Sequence, residues 1–234
     1  MQLFYQPDIP EGIYFLNPEE SRHCIKVLRK RPGDFIDLTD GKGSFYHARI
    51  IISDPKKCEI EIISKNNEQV SKFFIHLAVA PTKNIDRLEW LVEKCTEIGI
   101  DELSFIICKN SERTVVKLDR LIKKSVSAMK QSIKSRLPKL NEAVPYSDFV
   151  NEPFINIDKF IAHVDPTNPL SLYQAVKKER KYCILIGPEG DFTNDELTLA
   201  SDKRFTKVNL GNSRLRTETA GIVACNTLNL INSK

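Results

Sequence analysis

At 234 residues the chain has room for one or two domains, two being the better division, and is long enough to bury a core without disulfides. Lys and Arg number 35 against 31 Asp and Glu, a formal net charge of +4, so any electrostatic role rests on where the positive charge is concentrated. No run approaches the ~20 apolar residues of a membrane span, and the start, MQLFYQPDIPEGIYF, lacks a basic segment followed by an apolar one. The six cysteines form no Cys-x-x-Cys pair and no zinc-ligand spacing with the histidines, which leaves no metal site and predicts reduced core thiols in a cytoplasmic protein.

Near the start, RHCIKVLRKR (22–31) carries Arg22, Lys26, Arg29, Lys30 and Arg31 with no acid. Strands are predicted at 34–38, 46–52 and 58–63. In the last of these Cys58, Ile60 and Ile62 alternate with Glu59 and Glu61, the period of a half-buried antiparallel strand, and the segment reads as a small barrel. Residues 64–72, polar throughout, read as the linker, giving domains at 1–70 and 73–234.

Beyond it strands and helices alternate. FFIHLAVA (73–80) predicts a buried strand, and Ile85, Leu88, Leu91, Val92, Cys95 and Ile98 follow at helical spacing until Gly99, with Trp90 beside that apolar face and read as core. LSFII (103–107) precedes a second helix with Leu118, Leu121, Ile122, Val126, Met129 and Ile133 on one side and most of its lysines on the other. FIAHV (160–164), a helix near 170–178, and YCILIG (182–187) follow. A short helix starts at Thr193 with Glu196 completing a capping box, then come KVNLG (207–211) and a final helix over 217–230. This alternation predicts a parallel sheet covered on both faces. Segment 117–139 holds eight Lys and Arg against Asp119 alone, a density that suits a polyanion through counterion release and equally suits a solvated helix face.

Two turns each follow a short buried strand and lead into a helix: Gly187-Pro188-Glu189-Gly190-Asp191-Phe192 and Leu210 through Ala220. In open α/β sheets ligands bind at the carboxyl ends of strands, and glycines let backbone amides and carbonyls reach an adenine or ribose directly. Neither turn is Gly-x-Gly-x-x-Gly or contains Gly-Lys-Ser/Thr, so a Rossmann dinucleotide site and a P-loop are disfavoured.

IGPEGDF (186–192) and LGNSRLRTETA (210–220) resemble the two C-terminal signature motifs of the ribosomal RNA methyltransferase family called RsmE, of the knotted SPOUT superfamily. RHCIKVLRKRPGD (22–34), DGKG (40–43), KCTEIGI (94–100), SERTVVK (111–117) and KQSIKSRLP (130–138) extend the resemblance over nearly the whole chain. It implies an α/β protein whose C-terminal domain is knotted around an S-adenosyl-L-methionine pocket, preceded by a small PUA-like, RNA-binding β-barrel. The knot rests on resemblance alone. Three positions depart from the family pattern: Asp191 where a second glycine is usual, Ser213-Arg214 where an arginine and an apolar residue are usual, and Ile133-Lys134 in place of Gly-Arg.

The reaction implied is methyl transfer to N3 of one uridine in the decoding region of 16S ribosomal RNA, on free RNA or the small ribosomal subunit. The uridine must be unpaired or swung out, and its imide proton must leave. Arg216, assisted by Arg214, is assigned to stabilise charge on O2 and O4, and Glu218 either acts as base or caps its helix. Cofactor contacts are assigned to His163, Val164, Leu185, Ile186, Gly187, Pro188, Gly190, Leu210, Gly211, Arg214, Leu215 and Thr219. Arg22, His23, Arg29 and Lys30 are assigned to the RNA backbone, and Gln131, Lys134 and Arg136 either to an RNA-facing helix end or to a solvated one. A homodimer is implied, for which Ile222, Val223 and Leu228 offer an apolar patch or ordinary core. A noncatalytic ribosomal RNA-binding assembly factor with this fold is the main rival, separated by methyl transfer. A knotted enzyme acting on transfer RNA or a ribose 2'-hydroxyl is disfavoured by the Arg-Thr-Glu-Thr-Ala run, and a class I enzyme by VAPTKN (79–84), which lacks a glycine turn.

Overall fold

The computed structural model describes residues 2–165 and 167–233. Cα packing divides them into two compact units, one of residues up to 70 with 126–137 and one of 71–125 with 138 onward.

The first unit is a five-stranded curled sheet in the order β1-β3-β4-β5-β2, from β1 (Leu3–Tyr5), β2 (Ile13–Phe15), β3 (Phe35–Thr39), β4 (Ser44–Ile52) and β5 (Glu59–Asn67). Period-2 burial along β4 sends Tyr46, Ala48 and Ile50 into a core with Phe4, Leu38 and Ile60. Strand β5 runs four residues into the expected linker, because Ser64 to Asn67 pair with Ser44 to His47 at the exposed end of the ladder. Helix α1 (Pro18–Arg22) is capped by Asn17, whose side chain accepts from Glu20 N–H, and passes into one π-helical turn at His23–Val27. The Asp40 to Gly43 turn is closed by the Asp40 carboxylate, which accepts from Lys42 N–H (2.7 Å), Ser44 N–H (3.1 Å) and the Tyr46 hydroxyl (3.2 Å).

Segment 126–137 completes this unit, a tertiary grouping with no local signal. Helix α3 (Leu118–Gln131) ends in a Schellman motif, in which Lys134 N–H donates to Met129 carbonyl at 3.1 Å and Ile133 takes the left-handed position at φ +54°. A β-branched residue there costs on the order of 1–2 kcal/mol of backbone strain, and Ile133 is 41% exposed, so little packing repays it. Ile133→Gly is expected to stabilise the protein by about 0.5–1 kcal/mol after the entropy glycine adds to the unfolded chain. Urea denaturation with an unchanged m-value reads this gain, and equal or lower stability would contradict it.

The second unit carries a six-stranded sheet, parallel at every pairing, in the order β11-β9-β10-β6-β7-β8. Its strands are β6 (Phe74–Val79), β7 (Glu102–Ile107), β8 (Lys139–Pro145), β9 (Ile157–Ala162), β10 (Lys181–Ile186) and β11 (Thr206–Val208). Strands buried on both sides read as apolar runs, and β10 is buried at every residue from Tyr182 to Ile186. One face packs on α2 (Ile85–Ile98), α5 (Leu172–Ala175) and α7 (Thr217–Asn232), around Leu77, Leu91, Tyr182 and Leu228. The other packs on α4 (Tyr146–Asn151) and α6 (Asn194–Asp202), around Ile106, Phe149, Leu185 and Phe205. Thr193 and Glu196 form the reciprocal capping box of α6. Helix α5 is four residues, shorter than the expected 170–178, since Val176 already has extended backbone at its C-cap.

Three expectations are corrected or resolved. Trp90 is 45% exposed, because the apolar stripe of α2 is carried by Leu88, Leu91, Val92 and Cys95, and residue 90 falls outside it. Of the two readings left open for Leu228, its full burial against the sheet makes it core. The basic segment 117–139 is only partly free: Arg120 pairs with Glu89, Lys124 with Glu93 (3.0 Å), Lys130 with Glu20 and Lys139 with Glu102 (3.0 Å). All six cysteines are buried free thiols.

Candidate active site

The carboxyl ends of three adjacent strands, β11, β9 and β10, enclose a cavity of about 1010 Å³. Its walls come from residues 162–165, 168–169, 186–189 and 209–217, with Ser171, Asp191 and Ala220. A parallel sheet places its loop amides and helix starts on this side, so the position follows from topology.

The turn after β10 is held from three directions. Asn110 Nδ2 donates to the carbonyls of Gly190 (3.2 Å) and Asp191 (3.0 Å), Thr217 Oγ1 donates to the Gly187 carbonyl at 3.0 Å, and Asp191 N–H closes the turn on Pro188 carbonyl at 2.9 Å. Position 187 must be small, since a Cβ there would lie 3.0 Å from the buried Phe192 ring. Asp191 stands at φ +61°, the left-handed region that favours the glycine common in the resembling motif. Aspartate tolerates it better than most residues, and its Oδ1 accepts from Phe192 N–H at 2.8 Å.

The second loop begins at Asn209, whose backbone pairs with Leu170 and Leu172 and whose Oδ1 accepts from Gly211 N–H at 3.2 Å. Gly211 has φ +116°, outside the range comfortable for a side chain, and nothing lies within 4 Å of where its Cβ would stand. Arg216 is the N-cap residue of α7 and contributes no side-chain cap, so the guanidinium is not spent on its own helix. Arg214 and Arg216 are both exposed, both line the cavity, and neither has a carboxylate within ion-pair distance among the described residues. Glu218 lies in the first turn of α7, where negative charge complements the helix dipole. It is buried, 3.7 Å from Arg87 Nε, and makes no cap hydrogen bond.

Of the residues expected at the cofactor, His163, Val164, Ile186, Gly187, Pro188, Leu210, Gly211, Arg214 and Leu215 line this cavity. Leu185 points into the core of the opposite sheet face, and Gly190, Thr219 and Glu218 lie behind the wall. Asp191, noted in the sequence as a departure that lengthens the turn or contacts the ribose, lines it, as do Glu189, Asn209, Ser171 and Thr217, which sequence reasoning passed over. The departure of Asp191 from glycine and the Thr-Glu-Thr start of α7 were the available signals.

In the first unit Glu20 joins the two basic segments. Its Oε1 accepts from Lys130 Nζ and from Tyr5 N–H (3.1 Å), and its Oε2 is 3.8 Å from His23 Nδ1. Residues 22–30 and 131–136 thus belong to one compact body. Arg22, Arg29, Gln131 and Arg136 are exposed there, Lys134 is half-buried, and Lys30 Nζ donates to Phe35 carbonyl at 3.2 Å. Arg136 Nη1 donates to Lys42 carbonyl at 3.2 Å, directly over Gly43.

Fold and cavity together define a parallel α/β protein with a ligand site at its strand ends, joined to a small β-unit. An RNA methyltransferase domain family matches residues 69–229, and an RNA methyltransferase PUA domain family matches residues 16–63. Among solved structures, a probable rRNA-methyltransferase from Porphyromonas gingivalis is 39% identical, aligned over 99% of this chain and 98% of that one with a TM-score of 0.92. A Ribosomal RNA small subunit methyltransferase E from Neisseria gonorrhoeae bound to S-adenosyl methionine is 26% identical, over 99% and 98% of the two chains, with a TM-score of 0.89. The Ribosomal RNA small subunit methyltransferase E of Mesomycoplasma hyopneumoniae (strain 232) is 28% identical over 95% of this chain and 96% of its own. The chain belongs to the RsmE family of RNA methyltransferases, with an N-terminal PUA-like domain.

Proposed function

We propose that this protein transfers the methyl group of S-adenosyl-L-methionine to N3 of a uridine in the decoding region of 16S ribosomal RNA. The observation that carries the reading is the pair of arginines, Arg214 and Arg216, on the wall of the strand-end cavity, neither of them ion-paired with a carboxylate among the described residues.

The cavity suits this cofactor. Its volume of about 1010 Å³ is at the top of the roughly 300–1,000 Å³ of small-molecule sites, enough for a nucleoside cofactor and an incoming base. Ile186, Leu210, Leu215 and Ala220 offer apolar surface for a purine, while Asn209 and Ser171 offer polar atoms for hydroxyls. The carboxylates of Glu189 and Asp191 give the wall a negative component, which suits a cationic sulfonium. When bound, the cofactor supplies an electrophilic methyl group.

The chain's residues supply the rest. Holding the base in line with the methyl group converts a bimolecular encounter into a positioned one. Arg216, with Arg214, stabilises the negative charge that spreads onto O2 and O4 as the imide proton leaves, and the dipole of α7 adds to the same field. N3 lies on the pairing edge, so the uridine enters unpaired or flipped. Residues 1–70 act as the RNA-binding barrel, where Arg22, His23, Arg29 and Lys30, with Gln131, Lys134 and Arg136 of segment 126–137, meet the RNA backbone. Residues 73–234 form the knotted catalytic domain of a cytoplasmic homodimer. The exposed Leu230 on α7, beside Phe73 and Ile98, offers apolar surface for a two-fold contact.

Labelled S-adenosyl-L-methionine incubated with ribosomal subunits and transfer RNA from cells lacking the gene tests the substrate class. Label confined to small-subunit RNA is the expected result. Label in transfer RNA, or cofactor binding with no transfer to any RNA, would overturn the reading, the latter in favour of an assembly factor.

A further inference from the structure

The described residues lining the cavity include six side chains that carry or gain charge: His163, Asp165, Glu189, Asp191, Arg214 and Arg216. Methylation at an imide nitrogen needs an acceptor for its proton, and a side chain on this wall can serve as one. The arginines stay protonated. Asp165 is engaged by the Thr167 hydroxyl and N–H and by Lys207 at 3.7 Å, and those hydrogen bonds hold its carboxyl below the usual range. Glu189 accepts from Lys83 N–H through Oε1 (3.1 Å), and its Oε2 is closed off from solvent. Glu218 is behind the wall beside Arg87.

His163 is different. Its backbone N–H donates to Val208 carbonyl at 3.2 Å, which pins the end of β9 beside β11. The ring turns its buried Nδ1 toward Asp191 Oδ2 at 2.9 Å, short of the alignment of a hydrogen bond, a looseness common in free enzymes that tightens with substrate in place. Asp191 is itself fixed, because Oδ1 is held by Phe192 N–H and the backbone by Asn110. The other ring nitrogen, Nε2, bonds to no described residue and is not closed off from solvent. A carboxylate on Nδ1 selects the Nδ1–H tautomer and leaves the Nε2 lone pair available, the arrangement by which an aspartate orients a histidine base.

Resting on the function proposed above, we propose that His163, oriented by Asp191, is the residue that accepts the uridine imide proton. The N3–H bond breaks and the proton passes to His163 Nε2. The N3 electron pair forms the bond to the methyl carbon as that carbon's bond to sulfur breaks, the pair remaining on sulfur. The imidazolium, its charge facing Asp191, then returns its proton to water. Asp191 is a positioning residue, and Asp191→Gly removes its carboxylate, together with the bond that it accepts from Phe192 N–H, without backbone strain, since glycine takes φ +61° freely.

The test has two readouts. In the free protein, ¹⁵N NMR of the His163 ring is expected to show the Nδ1–H tautomer, lost in Asp191→Gly; an Nε2–H tautomer, or one indifferent to Asp191, would overturn the dyad. In single-turnover transfer to unmodified small subunits, His163→Asn is expected to lose roughly 10²-fold or more and Asp191→Gly about 10-fold. Affinity for S-adenosylhomocysteine, which lacks the sulfonium charge, should fall much less than the transfer rate does. The charged groups facing that ring are Asp191 and Glu189 from the turn after β10, Arg214 and Arg216 from the loop before α7, and Asp165 with Lys207 beside it. Full transfer by His163→Asn, or a loss matched by weaker S-adenosylhomocysteine binding, would overturn the proposal. A wild-type protein inactive on every RNA would sink the proposed function instead, while the tautomer still decides whether the dyad forms.

Discussion

Arg216→Ala is expected to slow methyl transfer by on the order of 10²- to 10³-fold, the size of effect seen when one preorganised donor to a developing anion is removed. The guanidinium is exposed on the cavity wall, pairs with no acid among the described residues and does not cap α7, so its loss disturbs no fold contact. Affinity for S-adenosylhomocysteine and thermal stability should therefore be unchanged, with the deficit in the maximal rate. Arg214→Ala should show a smaller defect of the same kind. A full rate in Arg216→Ala, or a deficit matched by lost cofactor affinity, would remove Arg216 from its proposed role.

Thr217→Val should affect both stability and cofactor affinity. Thr217 is buried and its hydroxyl donates to the Gly187 carbonyl at 3.0 Å, so one bond ties the turn after β10 to the start of α7. Valine keeps the shape and leaves that carbonyl without its donor, a loss of about 1–3 kcal/mol. For a protein of this size that lowers Tm by roughly 2–12 °C. Both walls of the cavity move with the tie, so S-adenosylhomocysteine should also bind more weakly. Thr217→Ser, which restores the hydroxyl, should recover both properties. Valine indistinguishable from wild type in melting and binding would show that the tie does not hold the site.

Local patterns carried much of this architecture. The apolar runs of β6, β7 and β10, the stripe along α2 and the Thr193–Glu196 box depend on neighbours within a few residues, and each appears where its pattern lies. Strand β8 escaped notice because an edge strand need bury little, and KLNEAVP mixes charge, amide and proline without alternation. The union of 126–137 with the N-terminal strands rests on contacts across most of the chain, such as Thr39 Oγ1 donating to Ser135 carbonyl at 3.0 Å. No periodicity reports a contact of that range.

The site divided in the same way. Glycine-bearing turns after buried strands mark where the backbone approaches a ligand, and Gly187 and Gly211 are both on the cavity wall. Side-chain direction was harder to read. Glu218 and Arg216 are two residues apart at a helix start, yet one turns inward to Arg87 and the other stays on the wall. Asp191 read as an irregularity in a glycine motif, and only its 2.9 Å approach to His163, 28 positions away in the chain, gives it a chemical context.

The most direct test of the account is nucleoside mass spectrometry, with position mapping, of 16S RNA from unmodified small subunits after incubation with this protein and S-adenosyl-L-methionine. The account predicts one new 3-methyluridine in the decoding region, absent when Arg216→Ala replaces the wild type over the same interval. Methylation on a ribose or another base, or none from a protein that binds the cofactor, would contradict it.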